Sequence, residues 1–454
     1  MPTVLYPTAF VAFELMPDLG EIGSETTSAR ISCVPRALKV ERNDHQTADT
    51  AEITLDFESF PFDPRIIRGG TVEAFIADAG SAEGTFWEAL KSDPATARSR
   101  CIFMGVIDEI SNSLEDDRTV TIKCRDYTAY LLDTALEPGA IPYGTKTLAE
   151  IVRGILDQLP TTTNIAIEAR GDRVALLKPS SYMIRGDNPD TGARKIKEGE
   201  TPWELIQELA VTGGIVAYVE LDAVVLAEPA TLQLDESPSE RERHWALGRD
   251  VMSFQSSRQL GRRSGIVVQV SSWDPEDGIT RRARAPRKEV TIEAVVQVPA
   301  TKLGDDGKKK PTERPPHIRP YVVRGVRDQG QLQQIADAIY EQLRHHSLEA
   351  TITTHNFTDV AGKPITGLRY GDPVVLDVAP EFPSHLAEPP SVQVERLIAL
   401  GYRVQDAQAL TDAFAALRVP FWINRVTYDY DGEGDPAFTL TVEIRSRKPV
   451  EVST

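Results

Sequence analysis

Few residues in this chain are spaced for chemistry. His345 and His346 are adjacent, on or just after a predicted helix. Neighbours on a helix point ~100° apart, so the two imidazoles are poorly placed to share one metal, and a surface or interface role is favoured. The stretch Asp429-Tyr430-Asp431-Gly432-Glu433-Gly434-Asp435 carries carboxylates on alternate residues, as a calcium loop would. An EF-hand register started at Asp429 needs a bidentate Glu where Leu440 stands, and no helix flanks the stretch, so it reads as a hairpin turn. The basic run Arg281 to Lys288 (RRARAPRK) has the composition of a nucleic-acid patch. Between strands of an acidic chain it reads instead as a solvated loop or a docking surface for an acidic neighbour. Cys33, Cys101 and Cys124 are odd in number and widely spaced, which fits reduced core residues better than a disulfide framework or a zinc site. No phosphate loop, dinucleotide fingerprint, HExxH or GxSxG elbow is present. Paired carboxylates for glycoside hydrolysis need two acids set apart from the rest, and nothing singles out such a pair. The reading is therefore no catalytic residue, no metal ligand and no cofactor.

The totals agree with a non-catalytic role. The chain has 454 residues, too many for one ordinary core, so roughly two to four packed units are expected. Lys plus Arg is 50 and Asp plus Glu is 68, giving 50 − 68 = −18. That balance disfavours binding driven by phosphate neutralisation, although it suits a wall past which a polyanion must slide. No apolar run is long enough to cross a bilayer, and the N-terminus lacks the basic and apolar regions of a signal peptide, so secretory export is not expected.

The elements read as strand groups with single helices inserted, not as regular βαβα alternation. Ile53, Leu55 and Phe57 share the face of a half-buried strand, and Val120, Ile122 and Cys124 alternate with polar residues after the turn SLEDDR. Thr147 and Glu150 form a capping box ahead of Leu148, Ile151, Val152, Ile155, Leu156 and Leu159. Thr201 and Glu204 repeat that signal, with Pro202 suited to the first helical position. Leu205, Ile206, Leu209 and Ala210 supply the stripe, Gly213-Gly214 ends the helix, and two apolar strands follow, joined at about Glu220–Asp222. Further strands are expected at 265–270, 293–298, 321–326, 348–353 and 373–378, with a helix at 331–345 and a closing hairpin around the Asp/Gly turn. Residues 302–317 read as a charged, Pro-rich, mobile loop. No sequence repeat is found, but similar groups on both sides of residue 300 permit a structural duplication.

One segment carries a resemblance. Gly199, Thr201, Pro202, Trp203, Leu205, Ile206, Ala210, Gly213 and Gly214, followed by the hairpin with Asp222, resemble the capped helix, glycine and apolar hairpin of phage baseplate hub proteins. That family includes the late control protein D group and the hub portion of type VI spike proteins. FMGVIDEI with TVTIKCRDYTAYLLD resembles its first-domain hairpin, and ITGLRYGDPVVLDV, with Gly371 and Asp372, resembles its closing domain. The resemblance implies a β-rich α+β, multi-domain chain with two tail-tube-like β-barrel domains and a small inserted α+β domain, forming a ring as a homotrimer. The expected division is a first tube-like domain at 1–140, a helix/hairpin insert at 141–230, strands continuing the barrel at 231–300, the loop at 301–317 and a second tube-like domain at 318–454.

The resemblance also implies a role and partners. The ring would join a six-fold tail tube to a three-fold spike in the tail tip of a virion, made in a bacterial cytoplasm. Its partners would be its own copies, the tail tube protein, the spike protein, the tape measure protein and neighbouring baseplate proteins, with DNA or cargo passing through. The sequence departs from the type VI form in ending soon after the closing domain, without a β-helical needle. Two other readings compete: a tail-associated peptidoglycan hydrolase using residues 140–230, and a receptor- or glycan-binding tail protein. The first loses weight because capped apolar helices account for that segment. The second loses weight because Trp203 and Trp422 read as core rather than loop aromatics.

Overall fold

The structure is a computed structural model that describes residues 7–17, 29–43, 47–60, 63, 66–78, 82–93, 98–113, 118–137, 140–142, 146–159, 165–170, 172–177, 193–196, 198–213, 215–227, 242–247, 250–258, 266–274, 278–286, 317–324, 328–344, 348–378, 390–399 and 421–446. The chain begins with β1 (Thr8–Pro17), β2 (Ala29–Cys33), β3 (Ala37–Arg42), β4 (Thr50–Asp56) and β5 (Ile67–Ala77). Helix α1 (Glu83–Ser92) precedes a hairpin of β6 (Cys101–Ser113) and β7 (Thr119–Asp126). Then follow α2 (Thr128–Asp133), β8 (Ala140–Pro142), α3 (Leu148–Leu156), β9 (Ala166–Arg170), α4 (Asp172–Leu176), β10 (Ala193–Lys195) and α5 (Pro202–Gly213). The middle holds β11 (Val216–Glu220), β12 (Ala223–Ala227), β13 (Arg243–Leu247), β14 (Ser253–Arg258), β15 (Ile266–Asp274) and β16 (Ile279–Ala285). The last part holds β17 (His317–Arg324), α6 (Gln329–Arg344), β18 (Leu348–Thr354), β19 (Pro373–Val378), α7 (Pro390–Ala399), β20 (Phe421–Asp431) and β21 (Phe438–Ser446).

The chain is β-rich, and most strands belong to one sheet. Its order is β14-β18-β21-β20-β3-β4-β7-β6-β5-β1-β2, with β19 on the start of β20 and β13 beside β19. Every pair in it is antiparallel except β13 with β19. The two-residue period sorts its faces. Leu38 and Val40, Ile53 and Leu55, Val120 and Ile122, Tyr428, Leu440 and Val442 point into one shared apolar core. The opposite face is polar. Asp429, Lys39, Glu52, Lys123 and Glu109 form one row across five adjacent strands, alternating in sign. Such cross-strand pairs stabilise the register, because opposite charges sit side by side. Gly105 in β6 is required by crowding: a Cβ there would collide with the Arg125 carbonyl.

At β1 and β5 the sheet is covered on both sides. Phe10 and Phe75 lie on the reverse face, under α1, and the Phe10 and Phe86 rings stack at 4.1 Å between centroids. This is why β1 shows no alternation in the sequence: Phe10 and Phe13 are both buried, one on each face. α1 and α7 were likewise not legible, and α1 buries only Phe86 fully.

A second core is built from α3, α5, β11, β12 and β9. A third lies between α6 and the small sheet β16-β15-β17. That sheet corrects one expectation. Arg281 to Ala285 are not loop but the last part of β16, with Ala283 and Ala285 buried and Arg282 and Arg284 outward. Three arginines in the four residues Arg281 to Arg284 hid a two-residue period in which the small residue, not a large apolar one, faces the core. Arg287 and Lys288, His345 and His346, the expected strand 293–298 and all of the loop 302–317 but its last residue lie outside the described residues. The Asp/Gly stretch forms the β20–β21 hairpin, where the Asp431 carboxylate accepts from the Glu433 N–H at 3.0 Å. All three cysteines are free and buried. Burial pushes the Cys33 and Cys101 thiols up to about 12 and raises Cys124 as well, which makes thiolate chemistry at these positions unfavourable.

Candidate functional site at the junction of two cores

The residues singled out by the sequence converge on the seam between the large sheet and the second core. Gly199, with φ +76°, turns the chain into α5. The Glu204 N–H donates to Thr201 Oγ1 at 3.2 Å, and the Thr201 N–H donates to Glu204 Oε2 at 3.2 Å. That reciprocal pair satisfies two otherwise orphaned donors at the helix start, with Pro202 as its first residue. Leu205, Ile206 and Ala210 face the second core. Gly213 is the last helical residue, and the Ile215 N–H closes the end on the Ala210 carbonyl at 2.9 Å. Gly214 lies outside the described residues. Trp203 is buried in the second core and also lines the seam.

The β11–β12 hairpin drives its tip into the large sheet. The turn is two residues long, and Leu221 takes φ +53°. That backbone costs a non-glycine residue about 1–2 kcal/mol. Leu221 is buried with Phe10, Phe75 and Phe86, an apolar contact that offsets the cost. On either side of Leu221 a carboxylate is gripped. Asp222 receives both guanidinium N–H groups of Arg98, at 2.9 and 2.5 Å. Glu220 is bridged by Arg170 at 2.8 Å and by Arg369. Arg170 also donates to Tyr218 Oη at 2.8 Å and to Glu168 at 2.9 Å.

Arg369 is placed by the two closing-motif residues. Gly371, with φ +82°, allows a tight turn whose N–H donates to the Ile423 carbonyl at 2.9 Å. The buried Asp372 carboxylate accepts from the Arg369 N–H at 2.9 Å, while its own carbonyl accepts from Ile423 at 2.8 Å. So the loop is pinned to β20, and the Arg369 side chain is free to reach Glu220.

The sheet contributes the remaining charges. Arg42 ends β3 and donates to the Leu368 carbonyl at 2.7 Å. Asp126 ends β7, accepts from the Thr128 N–H at 3.0 Å and donates its own N–H to the Asp49 carbonyl at 3.0 Å. Burial pushes Asp126 up to about 6. Burial, then the Asp126 charge, holds Asp49 well above the usual carboxylate range. Raised carboxylates beside arginines have the ingredients of acid catalysis. The cavity they line holds about 40 Å³, room for a few waters. Among the described residues no group of three or more His, Cys, Asp or Glu is arranged to hold a metal.

Sequence reading found the helix, its cap, Asp222, Gly371 and Asp372, but not Arg42, Asp49, Arg98, Asp126, Arg170, Glu220 or Arg369. A signal existed for two of them. In Leu38-x-Val40-x-Arg42 and Val120-x-Ile122-x-Cys124-x-Asp126 the inward phase of the strand ends in a charge. A charge in phase with the core marks a buried ionic contact.

No family model and no curated protein matches the chain. Solved structures do. A tail protein from Neisseria meningitidis MC58 aligns over 97% of this chain and 97% of its own, with TM-score 0.53 and 12% identity. A 43 kDa tail protein of prophage MuSo2 from Shewanella oneidensis aligns over 97% and 99%, with TM-score 0.54 and 14% identity. The chain has the fold of phage tail proteins. At such identity the likeness is one of backbone arrangement, maintained along nearly the whole length of the three chains. In this tail-protein fold no helix among the described residues is long and apolar enough to cross a membrane.

Two outcomes are expected at the junction. Trp203→Ala should lower the unfolding free energy by about 3–5 kcal/mol in denaturant titration, since a large ring leaves a closed site. An unchanged unfolding midpoint would place the ring outside the core. The second concerns pH. Asp126 binds a proton more tightly folded than unfolded, so its contribution to stability grows as pH falls through about 6 and is lost as pH rises through it, and Asp49, raised by burial and the Asp126 charge, acts in the same direction. Thermal unfolding of the parent should therefore show a gain between pH 7.5 and 5 that Asp126→Asn flattens. Parallel pH profiles for the two proteins would contradict this.

Proposed function

We propose that this chain is the structural hub at the distal end of a phage tail or a related injection machine, acting as a homotrimer that joins a six-fold tube to a three-fold spike. The observation that carries the reading is the fold shared end to end with two phage tail proteins. Within it, the strands of the first and last parts of the chain are the counterparts of two tube-like domains, and the second core is the small inserted α+β unit. Three copies, each with two such parts, give a pseudo-six-fold ring. The large sheet supports closure: among the described residues β14 and β2 each pair on one side only. Open edges of this kind are covered in stable proteins, and a three-fold ring covers them. Tube, spike, tape measure and neighbouring baseplate proteins are the expected partners, and the virion tail tip is the expected place.

The polar face of the large sheet is the proposed channel lining. Its central row begins and ends in a carboxylate, Asp429 and Glu109, and each lysine in it has carboxylates on both sides. Lys123 is held by Glu109 at 3.0 Å and Lys39 by Glu41 at 2.8 Å. A lining whose cations are matched does not grip passing DNA or acidic cargo, because little free positive charge is left to displace counterions. The basic strand β16 lies in a different sheet. The hub is proposed to be non-enzymatic, since the raised carboxylates face a cavity too small for a substrate.

Native mass spectrometry of the purified chain and imaging of assembled particles should give three copies per tail tip; two or six would refute the hub reading. In the same images a channel more positive than the outer face would refute the proposed lining alone. Purified protein should leave no clearing band in peptidoglycan zymography. A band that survives controls would overturn the structural role.

A further inference from the structure

The large sheet carries a second, larger hollow on its polar face. The charged row runs from β20 to β6, whereas this groove lies beyond it, across β14, β18, β21 and the start of β20. Two rungs of the ladder floor it, Gln255, Thr351 and Glu443 in one and Ser257, Glu349 and Arg445 in the next. Ala350 and Ile444, between those rungs, point the other way into the large core. The groove holds about 360 Å³, within the roughly 300–1,000 Å³ of small-molecule sites.

One wall of the groove is a bulge. β20 gains a residue on β21 between the pairs Ile423↔Ile444 and Arg425↔Glu443, so Asn424 has no opposite number. Ile423 and Val426 face the core, which leaves Asn424 and Arg425 together on the polar face. Asn424 lines the groove at 8% exposure, and its Oδ1 is enclosed without a hydrogen-bond partner. An enclosed, unpaired acceptor is costly, and the cost is relieved when the amide turns to a donor brought into the groove.

The surrounding charges decide what that donor belongs to. Glu349 is matched by Arg445 at 3.6 Å, and Glu443 by Arg425 at 4.0 Å. Arg425 is shared with Glu41, which also holds Lys39 at 2.8 Å. Acids and bases are interleaved, so the groove has no surplus charge with which to select an ion. Its wall offers hydroxyl, amide, carboxylate and guanidinium groups, donors and acceptors side by side, and ion pairs long enough to admit a third group. A ligand of many hydroxyls matches that wall, because each hydroxyl both donates and accepts.

We propose that this groove is a binding site for a neutral saccharide, with Asn424, Thr351 and the Glu349–Arg445 pair bonding to its hydroxyls. Every lining residue belongs to one copy, so the site does not depend on how many copies assemble.

The test uses the full chain. Saturation-transfer NMR with glucose, galactose and N-acetylglucosamine is run beside an array of neutral and charged glycans. At least one neutral saccharide should bind. Asn424→Ala and Thr351→Val, each shown to be folded by its unfolding midpoint, should raise the Kd by about tenfold or more, while Lys91→Ala on α1 should leave it unchanged. Binding of a free monosaccharide assigns the groove to a single sugar residue, and binding of longer chains alone assigns it to a glycan; either supports the site. No saccharide bound by the parent, binding that Asn424→Ala and Thr351→Val leave intact, or binding confined to charged glycans would each overturn it.

Discussion

The fold depends on one ladder, the antiparallel pairing of β20 with β3 from Val426↔Arg42 to Asp431↔Ala37. It joins residues nearly 400 positions apart and makes a single sheet of strands from both ends of the chain. Without it the apolar faces of β3, β4 and β7 and those of β18, β20 and β21 would each be left half covered. With it they share one core. Contacts of such long sequence separation require loop-closure entropy to be lost before the apolar gain is realised.

The same ladder creates the sheet's two-sidedness. Because side chains alternate, fixing the register of β20 against β3 fixes Asp429 beside Lys39, and through β4 and β7 it fixes the whole charged row. A one-residue slip would turn Tyr428 and Val40 outward and bury the charges. Core and polar face are therefore one decision, made by register.

The junction with the second core follows a different logic. Its parts are few, charged and mutually dependent: Asp372 holds the turn that aims Arg369, Arg369 and Arg170 hold Glu220, and Leu221 fills the aromatic cluster beneath. Buried ion pairs add little net stability when complete, but leaving one partner alone is costly, so such a seam specifies a single docking geometry more than it strengthens it. The small cavity beside it lies where the hairpin tip packs against strand ends.

The sequence by itself determined what is local. The capping boxes at Thr147 and Thr201, the alternation in β3, β4 and β7, the hairpin tip at Leu221–Asp222 and the turn before β21 are set by neighbours within a few residues, and their patterns are visible in the order of residue types. Strands that depart from alternation were not legible in the same way. β1 is buried on both faces, and β16 turns alanine rather than a large apolar residue to its core. Only the tertiary structure decided which charges meet. Arg42, Asp126, Glu220 and Arg369 come from four segments far apart in the chain, and nothing in the neighbourhood of any one of them names the others. Pairing across the sheet and the docking of the second core bring them together, because burial makes a charge find a partner wherever the fold places one.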